Sequence, residues 1–366
     1  MISGGRFGRE RQVCMNNDAR RSDGPEPPRS KQRANGHMAV PFADPALAGP
    51  GVYAALDLGT NNCRLLIACP EGEGFRVIDS FSRIIRLGEG ISSTGRISEA
   101  AIGRAISALS VCRDKMRHRN AQRLRLIATE ACRAASNADA FRDRVATQTG
   151  IALEVINRET EASLAVVGCS PLVDPQGSGA ILFDIGGGSS ELVRIARNGG
   201  APRVDGWMSI PLGVVTLAER FGGKDVSADV YARMVQEVSC HVAPFAAKHG
   251  NNLDTMHLLG TSGTVTTLAG IHLRLSRYDR RRVDGLWMDD GEITSAISTL
   301  LGMSYQERAD NNCIGIERAD LVLAGCAILD AIRNAFPLPR LRVADRGLRE
   351  GMLVEMMRED GAIGAA

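Results

Sequence analysis

The segment AILFDIGGGSSELV, residues 180–193, repeats the pattern of the earlier segment AALDLGTNNCRLL, residues 54–66. Each is an apolar run that ends in an aspartate, Asp57 or Asp184, followed by one apolar residue, glycine, small polar residues and a second apolar run. Glycine allows a sharp turn and lets backbone N–H groups approach a ligand closely. Successive N–H groups in such a turn form a concavity that binds anions. The repeat therefore predicts two related lobes that hold a phosphorylated ligand between them.

Carboxylates stand at the mouths of both turns. Asp57 and Asp184 are placed to hold a divalent cation, usually through water. Glu191 follows Gly188 by three residues, an offset that can aim its carboxylate back toward bound phosphates or their metal. The alternative for Glu191 is an exposed position on a strand, and the alternative for each aspartate is an ordinary turn residue before glycine. Two aspartates in matching context favour the functional interpretation.

Three further segments carry candidate site residues. GTSGT, residues 260–264, leads into a predicted helix that opens at Ser262, an anion-binding arrangement that would use Gly263 and Thr264. Arg133 follows a predicted strand and can fork onto phosphate oxygens, or it can be a surface arginine. Glu161, in RETEASL, can take a proton from water at a cleft floor, or it can simply favour the first turn of a helix.

Composition narrows the class of protein. A chain of 366 residues predicts two domains, and 44% apolar with 23% charged residues is typical of a globular protein. Aromatic residues make up only 4%, which argues against single-stranded nucleic acid as a partner. Nine scattered cysteines without CxxC spacing indicate a reducing, cytoplasmic setting. No apolar run approaches the length of a membrane span, and P-loop and Rossmann glycine motifs are absent.

The order of predicted elements indicates an α/β fold. Residues 1–50 have the composition of a disordered tail, and strands alternate with helices from Gly51 onward. We expect a first lobe over residues 51–158 and a second over 159–345, with a last helix at 346–358 that packs back on the first lobe. A basic run holds Arg274, Arg277, Arg280, Arg281 and Arg282. It can guide a long polyanion toward the cleft, or it can be a solvated face.

Taken together, these segments resemble the exopolyphosphatase and guanosine pentaphosphate phosphatase family, in its short two-domain form. The resemblance runs from about Val52 to Met357. It implies a duplicated actin-like, ribonuclease H-like ATPase fold with the active site in the cleft between the lobes. Nine segments carry it in family order: ALDLGTNNCRLLIA, IIRLGEGI, IATEACRAASN, ETEASL, FDIGGGSSEL, SIPLGVVTL, LLGTSGTV, ERADLVLAGCAIL and DRGLREG.

The resemblance also implies an activity and residue roles. The activity is magnesium-dependent hydrolysis of the terminal phosphate of inorganic polyphosphate, with Glu161 as the base that activates water and Glu191 as a second catalytic carboxylate. Asp57, Asp184 and Glu191 are implied as metal ligands. Hydrolysis of guanosine pentaphosphate is the alternative, a kinase or ATPase of the same superfamily is more remote, and a homodimer is compatible with the family. The implied phosphate contacts are Gly59, Thr60, Asn61, Asn62, Arg133, Gly187, Gly188, Ser189, Ser190, Gly263 and Thr264.

Overall fold

Two mixed β-sheets with the same core strand order organise the chain. The computed structural model describes residues 51–197 and 202–364, and both sheets belong to one compact unit. The expected disordered tail, residues 1–50, lies outside the described residues.

The first sheet has the order β3-β2-β1-β4-β5. Strands β1, β2 and β3 form an antiparallel meander, and β4 and β5 run parallel to β1. In the β1–β2 hairpin Asp57 lies directly opposite Arg64. The strand bounds are β1 Tyr53–Leu58, β2 Asn62–Glu71, β3 Gly74–Ile84, β4 Arg123–Ala128 and β5 Glu154–Val155.

The second sheet has the order β10-β11-β9-β6-β7-β8 and repeats the same plan. Strands β6 to β8 form an antiparallel meander, β9 and β11 continue parallel to β6, and β10 adds an antiparallel edge. Asp184 lies opposite Glu191 in the β6–β7 hairpin, as Asp57 lies opposite Arg64 in β1–β2. The duplicated α/β fold expected from the sequence is thereby confirmed. The bounds are β6 Gly179–Ile185, β7 Ser190–Ala196, β8 Arg203–Ile210, β9 Met256–Thr261, β10 Trp287–Asp289 and β11 Arg340–Ala344.

Helices cover the outer face of the first sheet. The longest of them, α2, begins after Ser98, whose hydroxyl accepts a hydrogen bond from the Ala101 N–H. Its apolar stripe, which includes Ile102, Leu109 and Cys112, is buried in the same core as the inward side chains of β1 and β2. The helices of this lobe are α1 Ile91–Thr94, α2 Glu99–His118, α3 Glu130–Ala134 and α4 Ala138–Thr149.

The second lobe has the larger core, centred on α7, α8 and α12 against the second sheet. Phe183 of β6 and Phe336 are fully buried in it. Ser262 occupies the N-cap position of α8, where the sequence predicts that the helix opens, although its side chain makes no capping hydrogen bond. The helices that follow the second hairpin are α6 Val214–Phe221, α7 Ala228–His249, α8 Gly263–His272, α9 Arg280–Val283, α10 Asp290–Gly302, α11 Tyr305–Asp310 and α12 Val322–Ala335.

Two helices, α5 Arg158–Cys169 and α13 Leu348–Glu359, join the sheets. The small face of α5, including Ala162 and Ala165, packs on the second sheet. Helix α13 packs on β1 and β2 of the first sheet, and Leu164 of α5 belongs to that same apolar cluster. The paired helices therefore bring their N-terminal turns to the boundary between the lobes.

No helix among the described residues is long and apolar enough to cross a membrane.

Candidate active site

A cleft of about 590 Å³ lies where the strands of both sheets end. Both lobes and the N-terminal turn of α13 contribute to its lining. It brings together most of the residues singled out in the sequence, namely Asp57, Gly59, Thr60, Asn61, Asn62, Glu161, Asp184, Gly187, Gly188, Ser189, Gly263 and Thr264.

The two repeated turns touch each other across the lobe boundary. A Cβ atom at Gly187 would lie 2.9 Å from Thr60 Cβ, and one at Gly188 would lie 2.9 Å from Thr60 Oγ1. Both atoms belong to the Thr60 side chain, so a residue larger than glycine at either position would have to displace that side chain. Within the first turn the Gly59 N–H donates to the Asn62 carbonyl at 2.9 Å. The two turns therefore form one surface along the cleft.

A third anion-binding element is the start of α8. Ser262 has a positive φ of 98°, a strained conformation for a residue with a side chain. The first N–H to bond within this loop is that of Thr266, which donates to the Ser262 carbonyl, so the N–H groups of residues 263–265 have no intrahelical acceptor. Gly263 and Thr264 line the cleft, and these free N–H groups suit an anion.

Four buried acidic side chains in and beside this cleft have raised pKa values. Burial raises the pKa of Asp57, while Arg64 and Arg349 partly oppose the rise. Burial and the charge of Asp57 raise the pKa of Asp184 to about 6. Repulsion of this kind between buried carboxylates is relieved by a bound cation.

Glu191 and Glu161 complete the set. Burial and the charge of Asp184 raise the pKa of Glu191 to about 7, although the hydroxyls of Ser189 and Ser209 donate to its Oε1 at 2.8 and 2.9 Å. Burial and the charge of Glu191 raise the pKa of Glu161 well above its usual value. Burial is the largest cause of the raised pKa in each of the four carboxyl groups, and a neighbouring carboxylate adds to it in Asp184, Glu191 and Glu161.

The donor set fits a hydrated Mg²⁺ ion. Within residues 51–197 and 202–364 no three His, Cys, Asp or Glu side chains are arranged as a metal cage made by the protein alone. Mg²⁺ usually keeps several waters and takes one or two carboxylates together with substrate phosphates. Asp57 and Asp184 both line the cleft, and the charge of Asp57 contributes to the raised pKa of Asp184, so these two carboxylates suit such an ion. Glu191 lies opposite Asp184 in the hairpin but is only 2% exposed and does not line the cleft.

Arg133 does not occupy the position expected of a phosphate contact. Its Nε and Nη1 donate to Glu130 Oε2 at 2.9 Å and to the Ile156 carbonyl at 2.8 Å, and its Nη2 donates to Glu161 Oε2 at 2.8 Å. The side chain is only 14% exposed and does not line the cleft. Because its donors are committed, we assign Arg133 to the positioning of Glu161 and remove it from the phosphate contacts.

Ser190 also differs from expectation. Its side chain is fully buried, and its hydroxyl donates to the Leu212 carbonyl at 2.8 Å. Alternation along β7 turns Ser190 away from the face that carries Glu191. Ser190 therefore stabilises the second hairpin, and its hydroxyl is not available to a phosphate.

Two cleft residues that the sequence did not single out are Arg64 and Arg349. Their guanidinium groups have no hydrogen bond or ion pair with any other described residue. Arg64 occupies the position in the first hairpin that Glu191 occupies in the second, so the internal repeat carries a signal for it. Arg349 lies in the first turn of α13, and no comparable pattern marks it. These two cations are free to meet an anionic ligand.

Comparison with known proteins agrees with this geometry. The model of the Ppx/GppA phosphatase family matches residues 66–360. Exopolyphosphatase 2 of Mycobacterium tuberculosis is 29% identical over 323 residues, which cover 83% of this chain and 98% of that protein. The guanosine-5′-triphosphate,3′-diphosphate pyrophosphatase of Photobacterium profundum is 28% identical over 84% of this chain, but the match spans only 59% of that longer protein.

A solved structure extends the likeness to three dimensions. The crystal structure of the Aquifex aeolicus member of the Ppx/GppA family superimposes with a TM-score of 0.71 at 29% identity. The match covers 85% of this chain and 98% of that one. With a family model that matches most of its length and a site built from the family's own segments, this chain belongs to the Ppx/GppA phosphatase family.

Proposed function

We propose that this phosphatase hydrolyses the terminal phosphoanhydride bond of inorganic polyphosphate and releases orthophosphate. The observation that carries the proposal is a buried carboxylate, Glu161, in the same cleft as two free guanidinium groups, Arg64 and Arg349. Groups that are already oriented toward developing charge stabilise a phosphoryl transition state. The name of the Mycobacterium tuberculosis relative supports polyphosphate as the substrate.

The chemical step uses water as the nucleophile. Glu161 accepts a proton from the water as the water oxygen bonds to the terminal phosphorus. The bridging P–O bond breaks, and its electron pair leaves with the oxygen of the shortened chain. The N–H groups of the three turns, together with Arg64 and Arg349, are placed to bind the phosphate oxygens. The fixed ion pair to Arg133 orients the Glu161 carboxylate during this step.

Asp57 and Asp184 are the residues that would hold Mg²⁺ through water, with Glu191 opposite Asp184 in the second hairpin. When bound, the ion supplies charge neutralisation between the carboxylates and the phosphate oxygens. Without the ion, the pKa values of these carboxyl groups are raised. Their negative charges are then not fully compensated when an anionic substrate binds beside them.

Phosphate release from long-chain polyphosphate and from guanosine pentaphosphate, measured in parallel without added nucleotide, tests the assignment. We expect magnesium-dependent release from polyphosphate that stops on chelation and returns when excess Mg²⁺ is added. Release from guanosine pentaphosphate alone would transfer the function to the second candidate, which the Photobacterium profundum relative favours. Release from neither substrate would contradict the proposal.

Replacement of Arg133 should change the pH dependence of hydrolysis. The positive charge of Arg133 lowers the pKa of Glu161, opposing the rise caused by burial and by Glu191. In Arg133→Gln the pKa of Glu161 rises further, so the base stays protonated to higher pH and the acidic limb of kcat/KM moves upward. Misplacement of the base adds a loss of roughly 10²-fold in kcat at neutral pH.

Arg133→Lys is the matched control because it keeps the charge. Its acidic limb should stay closer to that of the wild type than the limb of Arg133→Gln. An unchanged pH profile in Arg133→Gln would contradict the positioning role.

A further inference from the structure

The segment that follows α8 and includes α9 carries four exposed arginines, Arg274, Arg277, Arg281 and Arg282, which we call the outer arginine strip. None of their side chains forms a hydrogen bond or ion pair with another residue in the described part of the chain. Some exposed arginines elsewhere are paired, as Arg144 is with Glu99 at 2.6 Å. The unpaired ones within residues 51–197 and 202–364, such as Arg96, Arg233 and Arg358, are far apart in sequence. Like charges grouped without partners repel one another, and this repulsion is relieved by an anion.

The strip is next in sequence to two residues that line the catalytic cleft, Tyr278 and Arg280. Tyr278 donates its hydroxyl hydrogen bond to Asp345 Oδ2 at 2.7 Å. Arg280 donates from Nη2 to Glu350 Oε1 at 2.9 Å and to the Asp345 carbonyl at 2.6 Å. These contacts fix the segment to the start of α13. Arg277, Arg281 and Arg282 lie within two residues of the two anchors, so their Cα atoms are at most about 7.6 Å from the Cα atom of a residue that lines the cleft.

Positive charge continues from the strip into the cleft. Arg64 is close enough to Arg318 and Arg349 for its charge to lower the pKa of both, in addition to the larger effect of burial. The charge of Arg280 likewise acts to lower the pKa of Arg346, opposing the overall rise. The five arginines line the cleft with the anion-binding turns. A polyphosphate chain whose terminal phosphate lies at Glu161 would therefore contact guanidinium groups along the part of the cleft that it occupies.

We propose that the outer arginine strip is a distal binding site for the part of a long inorganic polyphosphate chain that extends beyond the cleft. This inference rests on the proposed function and deepens it by linking the strip to chain length. The cleft holds about 590 Å³, so only the terminal units of a long polymer fit inside it. Tripolyphosphate has no units left to reach the strip. The strip therefore increases affinity for long chains selectively.

The test is a triple charge reversal, Arg277→Glu, Arg281→Glu and Arg282→Glu. The matched control reverses three exposed arginines elsewhere, Arg96, Arg233 and Arg358, whose side chains also have no partner among the described residues. Both variants change the net charge equally. The KM for long-chain polyphosphate should rise about tenfold or more in the strip variant at low salt, because several screened charge contacts are lost together. The KM for tripolyphosphate should change less than about twofold by the same reasoning.

Salt dependence gives a second readout. The slope of log KM for the long chain against log salt concentration should be shallower in the strip variant than in the wild type and the control, because fewer counterions are released on binding. Equal effects of the two triple variants, or equal effects on long and short chains, would overturn the proposal. So would displacement of long polyphosphate by an oligonucleotide of equal phosphate number at equal concentration, since the strip would then be a general nucleic-acid surface.

Binding separates this inference from the proposed function. The dissociation constant of fluorescently labelled long-chain polyphosphate can be measured with and without turnover. If the wild type cleaves no polyphosphate, the proposed function fails, yet weaker binding by the strip variant alone would still support the distal site. If cleavage occurs and the strip variant binds as the control does, only the distal site is wrong.

Discussion

Replacement of Glu161 by glutamine should lower the turnover number for phosphate release by about 10²–10⁴-fold, the usual cost of losing a positioned general base. Glutamine keeps the shape of the side chain and an oxygen that can accept from Arg133, but it cannot take a proton from water. The measurement is steady-state phosphate release at saturating polyphosphate, with thermal unfolding recorded for the same sample.

The surroundings of Glu161 explain why the effect should be large. The side chain is 13% exposed and lies in the first turn of α5, which begins where the Asn157 side chain accepts from the Thr160 N–H at 2.8 Å. Burial and the charge of Glu191 raise the pKa of Glu161, which makes the carboxylate a stronger base than an exposed glutamate.

Glu159→Gln is the matched control, since Glu159 lies two residues earlier on the same turn and is exposed. It should retain nearly full activity. Equal losses in Glu159→Gln and Glu161→Gln would indicate a general electrostatic effect, and full activity in Glu161→Gln would remove Glu161 from the role of base.

The second large effect is expected at the crossing of α5 and α13. A Cβ atom at Gly168 would overlap the Gly347 carbonyl oxygen, and one at Gly351 would overlap the Leu164 carbonyl oxygen. Both obstacles are backbone atoms, so no change of rotamer relieves them. Gly351→Ala should lower the free energy of unfolding by roughly 1–3 kcal/mol or more, measured by chemical denaturation.

The same substitution should also impair catalysis. Helix α5 carries Glu161 and α13 carries Arg349, so forcing the helices apart changes the distance between these two groups. A displacement of about 1 Å can cost roughly 10²-fold in rate.

Gly103→Ala is the control for Gly351→Ala. Gly103 lies on the exposed side of α2, and nothing would lie within 4 Å of an added Cβ. Alanine there should raise stability by about 0.5–1 kcal/mol because it favours the helix. A neutral Gly351→Ala would show that the two helices are packed less closely than the structure indicates.

The duplicated fold could be predicted from the sequence because the repeated pattern that indicates it consists of residues close together in the chain. An apolar strand, an aspartate and a glycine turn occur together in both lobes, and the hydrogen-bond ladder then produces the same strand order. The apolar stripe and the serine cap of α2 are local features of the same kind.

The partners of charged side chains could not be predicted from the sequence in the same way. Arg133 was expected to bind phosphate, but Glu161 and the Ile156 carbonyl, which tertiary packing brings to it, take its donors. Arg64 and Arg349 have no ion pair for the opposite reason, because no carboxylate in the described part of the chain comes within pairing distance of them. Whether an arginine is committed or free depends on contacts between distant segments, which composition and periodicity do not encode.

The most direct test of the central claim is a single turnover of polyphosphate in ¹⁸O-labelled water. If water activated by Glu161 attacks the terminal phosphorus, the released orthophosphate carries one ¹⁸O atom and the new end of the shortened chain carries none. Label at the end of the shortened chain, or orthophosphate without label, would contradict the account.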